Sequence, residues 1–183
     1  MLEQHLINNC APTLAGIKCA GLFSYHYSSL TTVLRELAQL SGRLKAKGVY
    51  IDVLAWRKQA VLLYLYRPTL LEKELKKEGV GELLQQYGYS GRKTDNYLSH
   101  LKRRIQESDC FPHEIGIFLG YPIEDVIGFI QNEGKNCKCC GFWKVYCNEQ
   151  ETGRYFEKLK KCNRVYSQVF AAGRSLLEMT VVA

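Results

Sequence analysis

The residues most able to do chemistry lie in two stretches. The first is Cys137-Lys-Cys139-Cys140-Gly141. It has the C-x-x-C-G form of a zinc knuckle, where glycine lets backbone amides turn toward the sulfurs. A closed zinc site takes four ligands, usually as two such pairs. The second pair is missing here, and Cys139, Cys147 and Cys162 are left as candidates at irregular spacing. Three or four thiolates also suit an iron–sulfur cluster, but the spacing matches no ferredoxin pattern. Reduced thiols beside a turn, without metal, are the plainer alternative. Zinc or an iron–sulfur cluster therefore ranks behind no cofactor.

The second stretch is Phe111-Pro-His113-Glu114. Histidine titrates near neutral pH, so His113 is the best acid–base candidate, with Glu114 beside it to hold another group or a metal. Adjacent helical side chains diverge by roughly 100°. The competing reading gives Glu114 the task of stabilising a helix N-terminus and His113 the task of packing there. Lys18 follows an apolar, glycine-interrupted run and is a third catalytic candidate, as an anion binder or a desolvated nucleophile. Tyr121, Asp125, Trp143 and Lys144 are the ligand-binding candidates, and Tyr121, Tyr146 and Trp143 suit the lining of a pocket for a flat ligand. Aromatic residues near such turns also build cores.

Other patterns exclude more than they suggest. There is no G-x-x-x-x-G-K-S/T, no G-x-G-x-x-G after a strand and no G-x-S-x-G, which disfavours nucleotide hydrolysis and serine-hydrolase chemistry. Glu114 to Ile130 imitates a helix-turn-helix, yet its second helix offers Glu124, Asp125, Gln131 and Glu133 and no cation, so it would repel phosphate. Arg92, Lys93, Lys102, Arg103 and Arg104 make residues 92–104 basic, with Tyr97 as a stacking surface. Nucleic-acid contact there is a lesser reading, since charge runs are commonly just solvated faces.

The chain that positions these residues has 183 of them, 46% hydrophobic, with a net charge of +7. This suits a single domain with a full core. No apolar window approaches the roughly 18–20 residues that span a bilayer. The start, Met1-Leu-Glu-Gln-His, lacks the pattern of a secretory leader, so a cytosolic protein without membrane contact is expected. In that compartment its 8 cysteines stay reduced.

Periodicity predicts a short helix over 2–9 and a buried strand over Thr13–Ser24, with tight approaches at Gly16 and Gly21. A helix capped by Ser28 or Ser29 runs to about Lys47 and ends at Gly48. Val49–Ala55 and Gln59–Tyr66 form a hairpin connected through Trp56-Arg-Lys, and Pro68 stops its second strand. Helices follow from Thr69, near Glu82–Tyr87, over Thr94–Gln106, after Phe111 and over Ile123–Asn132. Phe142–Tyr146 reads as a strand, Glu149–Ala172 as a long helix and Leu176–Val182 as a strand or tail. The class is α+β, with a small mixed or antiparallel sheet and several packed helices. Residues 1–67, 68–133 and 134–183 are its three sub-parts.

Three segments carry a family resemblance. They are Ala11-Pro-Thr-Leu-Ala-Gly-Ile-Lys18, the run from Phe111 through His-Glu-Ile-Gly-Ile-Phe-Leu-Gly-Tyr-Pro to Phe129, and Gly141-Phe-Trp-Lys-Val-Tyr146. Together they resemble the bacterial family called domain of unknown function 3793. The resemblance implies a cytosolic protein of anaerobic bacteria, mostly Firmicutes, and supplies no activity or ligand. It marks His113, Glu114, Gly116, Gly120, Tyr121, Pro122, Asp125 and Trp143 without explaining them.

The leading expectation is a binding or accessory domain. It holds an unknown small ligand or a metal with the Phe111–Asp125 and Cys137–Tyr146 segments. A small enzyme using His113 is the second reading, and nucleic-acid binding through 92–104 the third. Oligomeric state is not readable from the sequence.

Overall fold

A computed structural model describes residues 1–91, 93–107 and 111–182. The chain forms two compact units, Met1–Leu70 with Lys161–Ala183, and Leu71–Lys160. The architecture is α+β: helices accompany one antiparallel sheet of three strands and one of two. No helix among the described residues is long and apolar enough to cross a membrane.

The first unit is built on three strands: β1 (Ala20–His26), β2 (Tyr50–Arg57) and β3 (Ala60–Tyr66). Their order is β1-β3-β2. The near-continuous apolar run Ala60-Val-Leu-Leu-Tyr-Leu-Tyr66 takes the centre, where a strand is covered most. Phe23 lies opposite Leu63 and Tyr25 opposite Val61, which puts one apolar face together. Helices α1 (Leu2–Leu14) and α2 (Leu30–Lys45) bury that face. Leu6, Ile7, Leu14, Leu44, Leu63 and Leu65 are fully covered, each worth about 1.5–3 kcal/mol relative to exposure.

The Ser29 hydroxyl caps α2 by accepting from Thr32 N–H at 3.3 Å, as its position just before the periodic leucines predicts. The hairpin also stands where expected, although its second-strand connection is tighter. β2 continues through Trp56 and Arg57, and Arg57 pairs with Ala60 across the turn.

Two expectations are corrected in this unit. The run Thr13–Ser24 is not one strand: α1 extends to Leu14, a turn follows, and β1 begins at Ala20. The helix persists past Pro12 because Leu6, Ile7, Cys10 and Leu14 fall on one buried face. That packing outweighs the single backbone bond that proline forfeits. Gly21 does mark a tight approach, since a Cβ there would stand 2.6 Å from Cys10 Sγ. The second correction is at 176–179, which forms helix α9 rather than a strand. Ser175 and Glu178 make a reciprocal capping box at its start.

The second unit is mostly helical. It contains α4 (Val80–Gln86), α5 (Thr94–Glu107), α6 (Ile115–Phe118), α7 (Ile123–Gln131) and the small hairpin β4 (Cys139–Cys140) with β5 (Lys144–Val145). Two helices cross the boundary between the units in sequence: α3 (Pro68–Leu75) and α8 (Glu149–Ala171). Leu98, Leu101 and Ile105 form the buried stripe of α5, at the helical spacing read from sequence.

Candidate functional site

The site in the second unit is built around one carboxylate. Asp125 is the third residue of α7 and is 2% exposed. Its Oδ2 accepts the Trp143 indole N–H at 2.8 Å. Its Oδ1 accepts the backbone N–H groups of Tyr146 at 2.7 Å and Cys147 at 3.0 Å. Cys147 Sγ donates weakly to the same oxygen at 3.5 Å. A buried anion is tolerable only with such partners, and the first turn of α7 adds its positive dipole end. The result fastens the β4–β5 hairpin to α7.

Gly128 completes the attachment. A Cβ at that position would lie 2.5 Å from Tyr146 Cγ, so only glycine lets α7 approach the hairpin this closely. Tyr121 then stacks on Trp143, with ring centroids 4.6 Å apart and planes 24° apart. Phe156 of α8 meets Trp143 edge-on at 4.6 Å.

These attachments leave a cavity of about 360 Å³ between the start of α6, one face of α7 and the β4–β5 turn. Its walls are largely apolar and aromatic: Phe111, Ile115, Tyr121, Val126, Phe129, Phe142 and Trp143. Phe111 and Phe142 remain substantially exposed, at 44% and 36%. The polar wall groups are His113, Asp125, Cys140 and Lys144. Lys144 Nζ donates to Gly134 O at 2.7 Å and lies 5.9 Å from the Phe129 ring centre. His113 is exposed and meets Phe129 edge-on at 5.0 Å.

The model of the protein of unknown function family DUF3793 matches residues 6–180, nearly the whole chain. The chain belongs to DUF3793. No curated protein and no solved structure matches it. The family description attaches no chemistry to this DUF3793 member, so its geometry has to carry the reading.

Of the residues singled out in sequence, His113, Tyr121, Asp125, Trp143, Lys144 and Cys140 meet at this one cavity. Glu114 does not join them. It is 1% exposed and turns into the helical core, where its Oε1 accepts from Tyr89 O–H at 3.0 Å and Arg104 Nε at 2.6 Å. Burial and the Glu114 charge push the Tyr89 phenol well above its usual range. His113 and Glu114 thus face different surroundings, as diverging helical neighbours do. Glu114 makes no side-chain cap on α6 either; its structural role is the bond to α5.

Lys18 belongs to the first unit, in the turn between α1 and β1. Burial pushes its amine down in pKa, opposed by the nearby Cys19 and Cys10. Cys162 also belongs to the first unit, buried on α8.

The knuckle cysteines differ from a zinc knuckle in backbone as well as in count. The Gly141 amide bonds Trp143 O at 3.0 Å, and the Lys138 amide bonds Val145 O at 2.8 Å. These amides close a hairpin instead of turning to sulfur. Among the described residues no three His, Cys, Asp or Glu side chains are grouped to hold a metal ion. Partial burial, then Glu149 and the neighbouring thiols, pushes Cys139 upward in pKa. Burial and the Asp125 carboxylate do the same to Cys147.

On the basic helix, Arg104 is committed to Glu114, and Tyr97 packs on Tyr89 with centroids 6.1 Å apart. Lys102 and Arg103 are exposed, Arg103 beside Glu107 at 3.9 Å. Arg92 lies outside the described residues.

Two further residues gave no signal in sequence. Tyr89 supplies the second donor to Glu114. Arg67 is 1% exposed and donates to Thr13 O, Leu14 O and Val181 O at 2.6–2.7 Å. An arginine before a proline looks ordinary in a sequence, and only the fold brings three carbonyls to it.

Proposed function

We propose that this protein is a small-molecule-binding domain, and that its ligand is a flat, largely apolar molecule held in the cavity of the second unit. The carrying observation is the cavity itself: about 360 Å³, walled by aromatic rings from three separate segments and edged by a few polar groups. That size and composition fall in the range of small-ligand sites. The wall is also held in place before any ligand arrives. Asp125 fixes the indole of Trp143, Tyr121 stacks on it and Phe156 meets it edge-on. Preorganised aromatic walls bind planar groups at low ordering cost. No reaction is proposed, since Glu114, the carboxylate next to His113 in sequence, is bonded to Tyr89 and Arg104, and Lys18 belongs to the first unit.

The test is a fluorescence titration with N-phenyl-1-naphthylamine, a neutral aromatic probe that brightens in apolar surroundings. Saturable one-to-one binding is expected. Phe111→Ala and Phe142→Ala, both at exposed positions, weaken it about threefold to tenfold each through lost apolar contact. An absence of saturable binding, or affinities unmoved by both changes, overturns the proposal.

A further inference from the structure

We infer that the ligand carries an anionic group, a carboxylate or sulfonate on an aromatic body, and that Lys144 receives it. The inference rests on the cavity reading above and sharpens it to a ligand class.

The cavity wall contains one formal anion and one formal cation, and they are in unequal states. Asp125 is 2% exposed, and its two oxygens already accept from Trp143 Nε1, Tyr146 N, Cys147 N and Cys147 Sγ. It has little left to offer a ligand donor. Lys144 is half-buried and carries three donor protons, of which Gly134 O takes one. Among the described residues no carboxylate pairs with it at ion-pair distance. Its ammonium sits at the edge of an aromatic wall, 5.9 Å from the Phe129 ring centre, where water is partly excluded. A charge there gains more from a ligand anion than an exposed lysine does. His113, edge-on to Phe129 in the same wall, offers a ring N–H as a second donor. A ligand cation meets only an occupied carboxylate and a like charge.

The experiment compares two probes with the same rings, at about 0.15 M salt so that long-range attraction by the net positive chain is screened. They are 1-anilinonaphthalene-8-sulfonate and the neutral N-phenyl-1-naphthylamine. The sulfonate is expected to bind about threefold to tenfold more tightly. Lys144→Met removes that preference while the neutral probe still binds, which shows the cavity intact. Lys144→Arg keeps the preference. Equal binding of the two probes by the unaltered protein overturns the inference and leaves the cavity reading standing. A sulfonate preference that survives Lys144→Met also overturns it. Failure of both probes to bind removes the cavity reading, and the inference with it.

Discussion

Asp125 accepts the indole N–H of Trp143 at 2.8 Å, and the same carboxylate holds the backbone amides of Tyr146 and Cys147. One side chain thereby sets both the orientation of the principal ring in the cavity and the position of the hairpin that carries it.

Removing that carboxylate should cost more than one hydrogen bond. Asp125→Ala leaves the Trp143 N–H and two backbone amides in a largely dry place without their acceptor. Each buried donor left so costs about 1–3 kcal/mol, with relief where water enters. We expect a loss of roughly 2–4 kcal/mol in urea unfolding, consistent with typical values for broken buried networks. Amide hydrogen exchange should rise first in residues 138–147. Unchanged exchange there would show that the hairpin does not depend on Asp125.

Arg67 presents the same logic with the charge reversed. Its guanidinium caps the last carbonyls of α1 and reaches Val181 O, so a buried cation rests at the negative end of a helix. Arg67→Met removes three charge-assisted donors, leaving Thr13 O with the Gly16 amide and Leu14 O with the Val181 amide alone, and should cost about 2–4 kcal/mol. Arg67→Lys keeps the charge without the fork and should fall between the two. Equal stability of all three proteins by thermal unfolding would contradict this role.

Cys10 predicts a pH dependence. Full burial pushes its thiol up from 9.0 to about 12, against the pull of Lys18. The folded state therefore holds this proton after the unfolded chain has released it. The contribution is complete below about pH 9 and is lost as pH rises toward about 12. The slope is about 1.4 kcal/mol per pH unit while only the unfolded thiol ionises. Cys10→Ala should lose less stability between pH 9 and pH 11 than the unaltered protein does. Parallel stability curves would contradict the assignment.

The parts that sequence made legible are those governed by local rules. The α2 leucines repeat at helical spacing behind the Ser29 cap. The hairpin reads from its β-rich run and Pro68, and α5 from Leu98, Leu101 and Ile105. The sequence reading sets the Phe111–Asp125 and Cys137–Tyr146 segments together as one candidate site, and residues of both line the cavity. What sequence concealed was non-local. Thr13 and Leu14 read as strand because their burial comes from α1 packing, beyond any window around them. The Ser175-Leu-Leu-Glu178 box is a local helix signal that the apolar residues after it mask as a strand or tail. Glu114 reads as half of a catalytic pair because its partners, Tyr89 and Arg104, lie 25 and 10 residues away, on segments that only the fold brings to it. The cysteine knuckle is a hairpin in backbone terms, with the Gly141 amide bonded to Trp143 O, a pairing that the C-x-x-C-G pattern does not signal.

The central claim is that the second unit binds a flat anionic ligand between Phe129, Trp143 and Lys144. The most direct measurement is a ¹H–¹⁵N NMR titration of the ¹⁵N-labelled protein with 1-anilinonaphthalene-8-sulfonate. The account predicts saturable shifts concentrated in residues 111–116, 126–129 and 140–144, including the Trp143 indole N–H. Shifts centred on the sheet of the first unit, or none at saturating probe, would contradict it.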